Sequence, residues 1–235
     1  IHELETLKKI KGLKFGPSSK PVNVDELLQS LFFHCENLTT LHMNKIKEIN
    51  DSEIAEILEE CPNLLDLALL EINTGVLAIE AAASTCPELQ KLALTGSTAL
   101  TDSAMRCITS VCLNLTSIRV NNCPGLTDDG FARAIMLRFV EHLDLSQNPQ
   151  FNGECVSQFP LAPLKTLILD GLESIDVSYL NKCSAVNQKY MQTVSFRDCK
   201  VIEKDDIASI LNRFLFCRSF DFTGCAKVEA ELATL

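Results

Sequence analysis

The sequence predicts an α/β fold: a right-handed solenoid with parallel β-strands on its concave face and helices on its convex face. Three observations predict it. An apolar triplet recurs about every 26 residues, helix-spaced apolar residues follow each triplet, and the composition is Leu-built, with 6% aromatic residues and no Trp. A period of roughly 20 to 50 residues marks stacked repeats, so period is read before individual residues.

The triplet is clearest from residue 35. Cys35, Leu38, Leu41 and Met43 align with Cys61, Leu64, Leu67 and Leu69 as C-x-x-L-x-x-L-x-L. Cys86/Leu89/Leu92/Leu94 and Cys112/Leu115/Ile118/Val120 follow, at successive intervals of 26, 25 and 26 residues. Beyond residue 130 the leading cysteine gives way. The triplet persists as Val140/Leu143/Leu145, Leu164/Leu167/Leu169, Met191/Val194/Phe196 and Cys217/Phe220/Phe222, and Ile10/Leu13/Phe15 fit upstream. Units are therefore expected to start near 7, 35, 61, 86, 112, 137, 161, 188 and 214, as one repeat domain over 1–235.

Within a unit, alternation such as Leu92-Ala93-Leu94 predicts a short strand with one buried face. Behind it, Leu100, Met105 and Ile108 fall at helix spacing after Thr101-Asp102, a pair suited to N-capping. Leu126, Phe131 and Ile135 repeat the design after Thr127-Asp128, as do Ile202, Ile207 and Ile210. Strand and helix are expected to alternate throughout. A single strand and helix cannot bury their apolar sides, but stacked copies share a core, and the bulkier helices take the convex side. The units at 137 and 161 lose the leading cysteine, insert Pro160 and Pro163 and lack a Thr-Asp cap over 172–189. An irregular helix position is expected there.

This is a leucine-rich-repeat pattern. The segments Cys112-Leu-Asn-Leu115 and Asn122-Cys123-Pro-Gly-Leu126-Thr-Asp128-Asp-Gly-Phe131 resemble the cysteine-containing repeats of F-box proteins, the substrate receptors of cullin-type ubiquitin ligases. The resemblance covers nearly the whole chain. It implies a protein-interaction module that serves as the substrate-recognition or adaptor part of such a ligase. A ligase adaptor would dock through segments outside this chain, which we expect to be a piece of a longer protein.

Charge and cysteine usage narrow the partners. A net charge of -10 and a pI near 4.9 disfavour direct nucleic-acid binding, which needs basic stripes. No apolar run approaches the ~20 residues of a membrane span, and Ile1 to Leu13 is too charged for a signal peptide. Eleven cysteines, an odd number in a chain of this size, favour reduced thiols and a cytoplasmic or nuclear location. The sequons at Asn37, Asn50 and Asn114 are set aside on the same ground.

No residues assemble catalytic or cofactor chemistry. Seven of the eleven cysteines sit at the first repeat position (Cys35, Cys61, Cys86, Cys112) or the twelfth (Cys123, Cys199, Cys225), where small thiols pack and donate weakly to loop carbonyls. No C-x-x-C occurs, so neither metal nor redox centre is expected. His142, Asp144 and Ser146 alternate along one strand, a poor geometry for a Ser-His-Asp triad. The register instead assigns a concave partner-binding face of His42, Asp66, Lys91, Arg119, His142, Asp144, Ile168, Arg197 and Asp221. Its mixed charge suits a protein segment, and its basic residues are too sparse for an inositol-phosphate cofactor. Leu65, Leu70 and Ile168 are outward aliphatics that could anchor a partner. The competing reading is a non-ligase scaffold subunit of a DNA-repair, cytoskeletal or regulatory complex. A GTPase activator is disfavoured, since the chain carries no matching arginine-bearing motif.

Overall fold

The computed structural model of the protein describes residues 11–17, 35–46, 48–158, 163–182 and 189–225. Ile10, Pro160, Cys183 and the unit starts at 7, 161 and 188 lie outside the described residues. Among the described residues, nine strands form one parallel sheet in strictly sequential order. They are β1 Gly12–Phe15, β2 Thr40–Asn44, β3 Asp66–Leu70, β4 Lys91–Thr95, β5 Ser117–Asn121, β6 His142–Asp144, β7 Thr166–Ile168, β8 Thr193–Ser195 and β9 Ser219–Asp221.

The register places the central residues of the apolar triplets in one row, with Leu41, Leu67, Leu92, Ile118, Leu143, Leu167 and Val194 buried and the end members Leu13 and Phe220 partly buried. This row is the spine of a single core that runs from Cys35 to Cys225. Each unit closes the apolar face of its neighbour, which is why a pattern too weak to fold alone is stable when stacked.

Behind the strands lie α1 Asp51–Glu59, α2 Val76–Thr85, α3 Asp102–Val111, α4 Asp128–Ile135, α5 Val177–Leu180 and α6 Lys204–Arg213. Alternation of strand and α-helix does not hold throughout. Among the described residues, the unit at 137 has a 3-10 helix, Glu154–Gln158, and the unit at 161 has the four-residue α5. The backbone turns tightly ahead of the 3-10 segment: Gly153 has φ +92°, and the Asn152 side chain accepts from the Glu154 N–H at 2.8 Å. At α5 the missing Thr-Asp pair is replaced by Asp176, whose side chain accepts from the Ser178 N–H at 2.9 Å.

The Thr-Asp pairs divide their labour. Thr101 and Thr127 cap their own helices, accepting from the N–H of Ala104 at 3.5 Å and of Asp129 at 3.3 Å. The aspartates reach forward into the next unit. Asp102 accepts from Thr127 N–H at 2.9 Å and its hydroxyl at 2.7 Å, and Asp128 accepts from the N–H groups of Asn152 at 2.8 Å and Cys155 at 2.9 Å. Asp51 does the same for α2, taking the N–H groups of Gly75 at 2.6 Å, Leu77 at 3.0 Å and Ala78 at 3.3 Å. Gly75 leaves room for that carboxylate, since a Cβ there would sit 2.6 Å from Asp51 Oδ2. One acidic side chain thus satisfies orphan donors of the following helix and fixes its height on the stack.

The thiols form a second ladder. Cys86 donates to the Cys61 carbonyl at 3.2 Å, Cys112 to the Cys86 carbonyl at 3.3 Å, and Cys199 to the Leu169 carbonyl at 3.0 Å. Burial pushes Cys86 up to about 12, Cys112 to about 11 and Cys199 to about 12, so these groups stay neutral at physiological pH. Asn148 takes the twelfth position of its own unit and is fully buried. It donates to the carbonyls of Val120 and Leu145 and accepts from Cys123 N–H, linking the ends of β5 and β6.

Candidate functional site

The outward residues of β2 to β9 form the concave face, and the register brings the expected site residues onto it in three cross-strand pairs. His42 of β2 meets Asp66 of β3 with Nε2 2.9 Å from Oδ1. Arg119 of β5 meets Asp144 of β6 with Nε 3.3 Å from Oδ2. Arg197, two residues past β8, lies 3.7 Å from Asp221 of β9. In each case the base precedes the carboxylate by one unit. Such exposed pairs contribute roughly 0 to 1 kcal/mol each, so their main effect is to neutralise bases that would otherwise attract polyanions.

The central pair is the most constrained. Asp144 is only 15% exposed and also accepts from Asn121 Nδ2 at 3.1 Å, Ser146 Oγ at 2.6 Å and Ser146 N–H at 3.2 Å. Its oxygens are therefore fixed, while Arg119 keeps 57% of its side chain in solvent. Two depressions meet at this pair. One, of about 180 Å³, is bordered by Arg119, His142, Asp144, Thr166 and Ile168. The other, of about 360 Å³, is bordered by Leu70, Glu71, Thr95, Arg119, Asn121 and Asp144.

Lys91 stands at the start of β4, exposed and without an ion pair among the described residues. His142 turns toward Thr166, Nδ1 to Oγ1 3.1 Å, and so does not engage Asp144 or Ser146. Ser146 is buried and donates to Asp144 instead, which removes the nucleophile from any triad. Among the described residues, no group of three His, Cys, Asp or Glu side chains is placed to hold a metal, and no helix is long and apolar enough to cross a membrane.

Two features escaped the reading of the sequence. Asp170, just past β7, accepts from Ser195 Oγ at 2.5 Å and from Arg197 N–H at 2.9 Å, so it positions the loop that presents Arg197. Burial is the largest influence on its carboxyl and pushes it above the usual carboxylate range. Its signal was its place two residues beyond an outward strand position. The second concerns exposed apolar surface. Leu65, Leu70 and Ile168 are half-buried, because strands stacked about 4.8 Å apart let outward side chains cover one another. The large exposed apolar residues lie elsewhere, among them Leu113, Phe139, Tyr190, Leu215 and Phe216 at the turns from helix to strand.

No protein-family model matches the chain. It is 26% identical over 171 residues to the F-box protein At4g02760 of Arabidopsis thaliana, a match that covers 67% of this chain and 33% of that protein. The chain therefore spans about a third of the length of that relative. A solved internalin C2 from Listeria monocytogenes superposes with a TM-score of 0.61 at 16% identity, over 94% of this chain and 84% of the other. The tropomodulin C-terminal domain of Caenorhabditis elegans gives a TM-score of 0.41 at 12% identity, over 53% of this chain and 83% of the other. Together with the sequential parallel sheet and the helices behind it, the internalin likeness shows an open leucine-rich-repeat-type solenoid.

Proposed function

We propose that this chain is a protein-recognition module whose concave face holds a partner across β4 to β7, and that it serves as the substrate-recognition or adaptor part of a cullin-type ubiquitin-ligase assembly. The observation that carries the recognition role is the Arg119–Asp144 pair, a fixed carboxylate and a largely exposed base shared by two adjoining depressions. A partner segment that brings its own carboxylate to Arg119 and a donor to Asp144 replaces one exchange of charge with two, which gives specificity more than raw affinity. The ligase role is supported by the likeness to an F-box protein over two thirds of the chain. The buried, neutral thiols support a reducing compartment, cytoplasm or nucleus.

Affinity capture from cells of the full-length protein containing this chain, with Arg119→Glu in parallel, tests both levels. A bound protein lost in the variant, recovered together with a cullin and its adaptor, is the expected result. The same protein recovered with no cullin would replace the ligase role with the scaffold reading. Equal capture by both forms would remove the concave face from recognition.

A further inference from the structure

The third position of each repeat unit changes character along the solenoid. In the earlier units it is polar and tied into the rim: Asn63 donates to the Glu36 carbonyl at 2.6 Å, and Asn114 donates to Glu88 Oε2 at 2.8 Å. From the unit at 137 onward the same position carries Phe139, Pro163, Tyr190 and Phe216, and the three aromatic rings are 54%, 49% and 61% exposed. The turn from helix to strand makes no inward use of these rings, because Leu137 and Val140, Met191, and Phe214 already fill the core beside them. Large rings held in water at one repeated position are an interaction feature, not a folding one.

Basic side chains accompany the aromatic positions. A depression of about 240 Å³ opens between Tyr190 and Phe216, with buried Met191 in its lining and Lys165, Lys189 and Arg218 around it. Lys165 is paired with Glu141 at 2.6 Å, whereas Lys189 and Arg218 are exposed and form no ion pair among the described residues. In a chain of net charge -10 this is a local positive spot on an acidic protein. Three cations around one aromatic cleft are too few to track a nucleic-acid backbone, which needs a continuous basic groove. They match a short acidic stretch flanking a single apolar anchor.

We propose that the helix-to-strand rim around Tyr190 and Phe216 is a second docking site, separate from the concave face, for an acidic linear protein segment that inserts one aromatic or large aliphatic side chain. The anchor lies between the two rings, and its acidic neighbours reach Lys189 and Arg218. Because the site is built on the rim, it stands whether or not the concave face recognises a partner.

The test uses the 235-residue chain and a fluorescent probe peptide of Asp and Glu around one central Phe. The comparison probes are the same peptide with Ser for Phe, and oligo-deoxythymidine. Binding of the Phe peptide, weakened at least about tenfold by Ser in the probe and by Phe216→Ser or Lys189→Glu in the protein, is expected. Arg119→Glu on the concave face should leave that affinity unchanged. Phe216 and Lys189 are both exposed, so neither change removes core packing, and circular dichroism of the variants confirms retained folding. The proposal is overturned if the Phe and Ser peptides bind alike, if the oligonucleotide binds more tightly than the Phe peptide, if the rim substitutions change nothing, or if no binding occurs.

Discussion

Arg119 Nε lies 3.3 Å from Asp144 Oδ2 across adjacent strands, with the aspartate held by three further hydrogen bonds and the arginine side chain 57% exposed. If the concave face recognises a partner as proposed, breaking the pair is expected to disturb recognition before folding. Arg119→Glu is expected to weaken a concave-face partner by about 1 to 4 kcal/mol while the melting temperature stays near that of the parent. Arg106→Glu, on the exposed side of α3, is the control and should change affinity little. Titration calorimetry against the captured partner decides; loss of binding by Arg106→Glu alone would move the site to the convex face.

Leu92 occupies the central row between Leu67 and Ile118 and is buried. Leu92→Ala is expected to cost about 2 to 5 kcal/mol, the range for truncating a core leucine. Because the core is shared between units, amide exchange should accelerate on both sides, over residues 61–137. Exchange that changes only within β4 would contradict a continuous core.

Asp51 accepts three N–H groups at the start of α2, although it belongs to α1. Asp51→Ala leaves those donors to water and is expected to destabilise the chain by about 1 to 2 kcal/mol. The diagnostic readout is position. Amides of Gly75, Leu77 and Ala78 should exchange faster than those of α1, the helix that carries the substitution; the reverse order would mean the forward reach is not what secures α2.

The buried thiols should resist reagents in proportion to their environment. Cys107 and Cys217 are partly accessible, whereas Cys86, Cys112 and Cys199 are buried and held neutral. Brief alkylation of the native protein is expected to label the first two ahead of the other three. After denaturation, mass spectrometry should find all eleven cysteines of the sequence alkylated; a defined disulfide would speak against a reducing compartment.

Asp170 gives the stability a specific pH signature. Its folded carboxyl titrates above the usual range because burial disfavours its charge, so the folded state takes up a proton before the unfolded chain does. Its contribution is therefore unfavourable at neutral pH and is relieved as pH falls through the raised folded value toward the ordinary one. Asp170→Asn can still accept from Ser195 and Arg197 but does not titrate. Denaturant curves should show the parent gaining on this variant as pH falls from neutral into the carboxylate range; a constant difference would mean the carboxyl is not perturbed.

The fold was legible in the sequence wherever it depends on one residue repeated at a fixed interval. Leu67, Leu92 and Ile118 announce the strand row, and Cys86 and Cys112 the thiol ladder, because a stacked repeat must present the same apolar shape at the same place in every unit. The concave placement of Arg119 and Asp144 followed from strand alternation alone. What followed less surely was the helix in the units at 137 and 161, where alternation weakens and local turn chemistry at Gly153 and Asn152 prevails.

The sequence by itself determined the period, the buried row and the outward positions, since each is a property of a single unit and of the two-residue alternation of a strand. Only the tertiary structure decided which outward charges pair, that Asp51 and Asp102 serve the helix after their own, and that Phe139, Tyr190 and Phe216 line up exposed on one rim. These relations join residues one or more full units apart. They are set by how far each unit is translated and turned on the last, a packing geometry that no local pattern encodes.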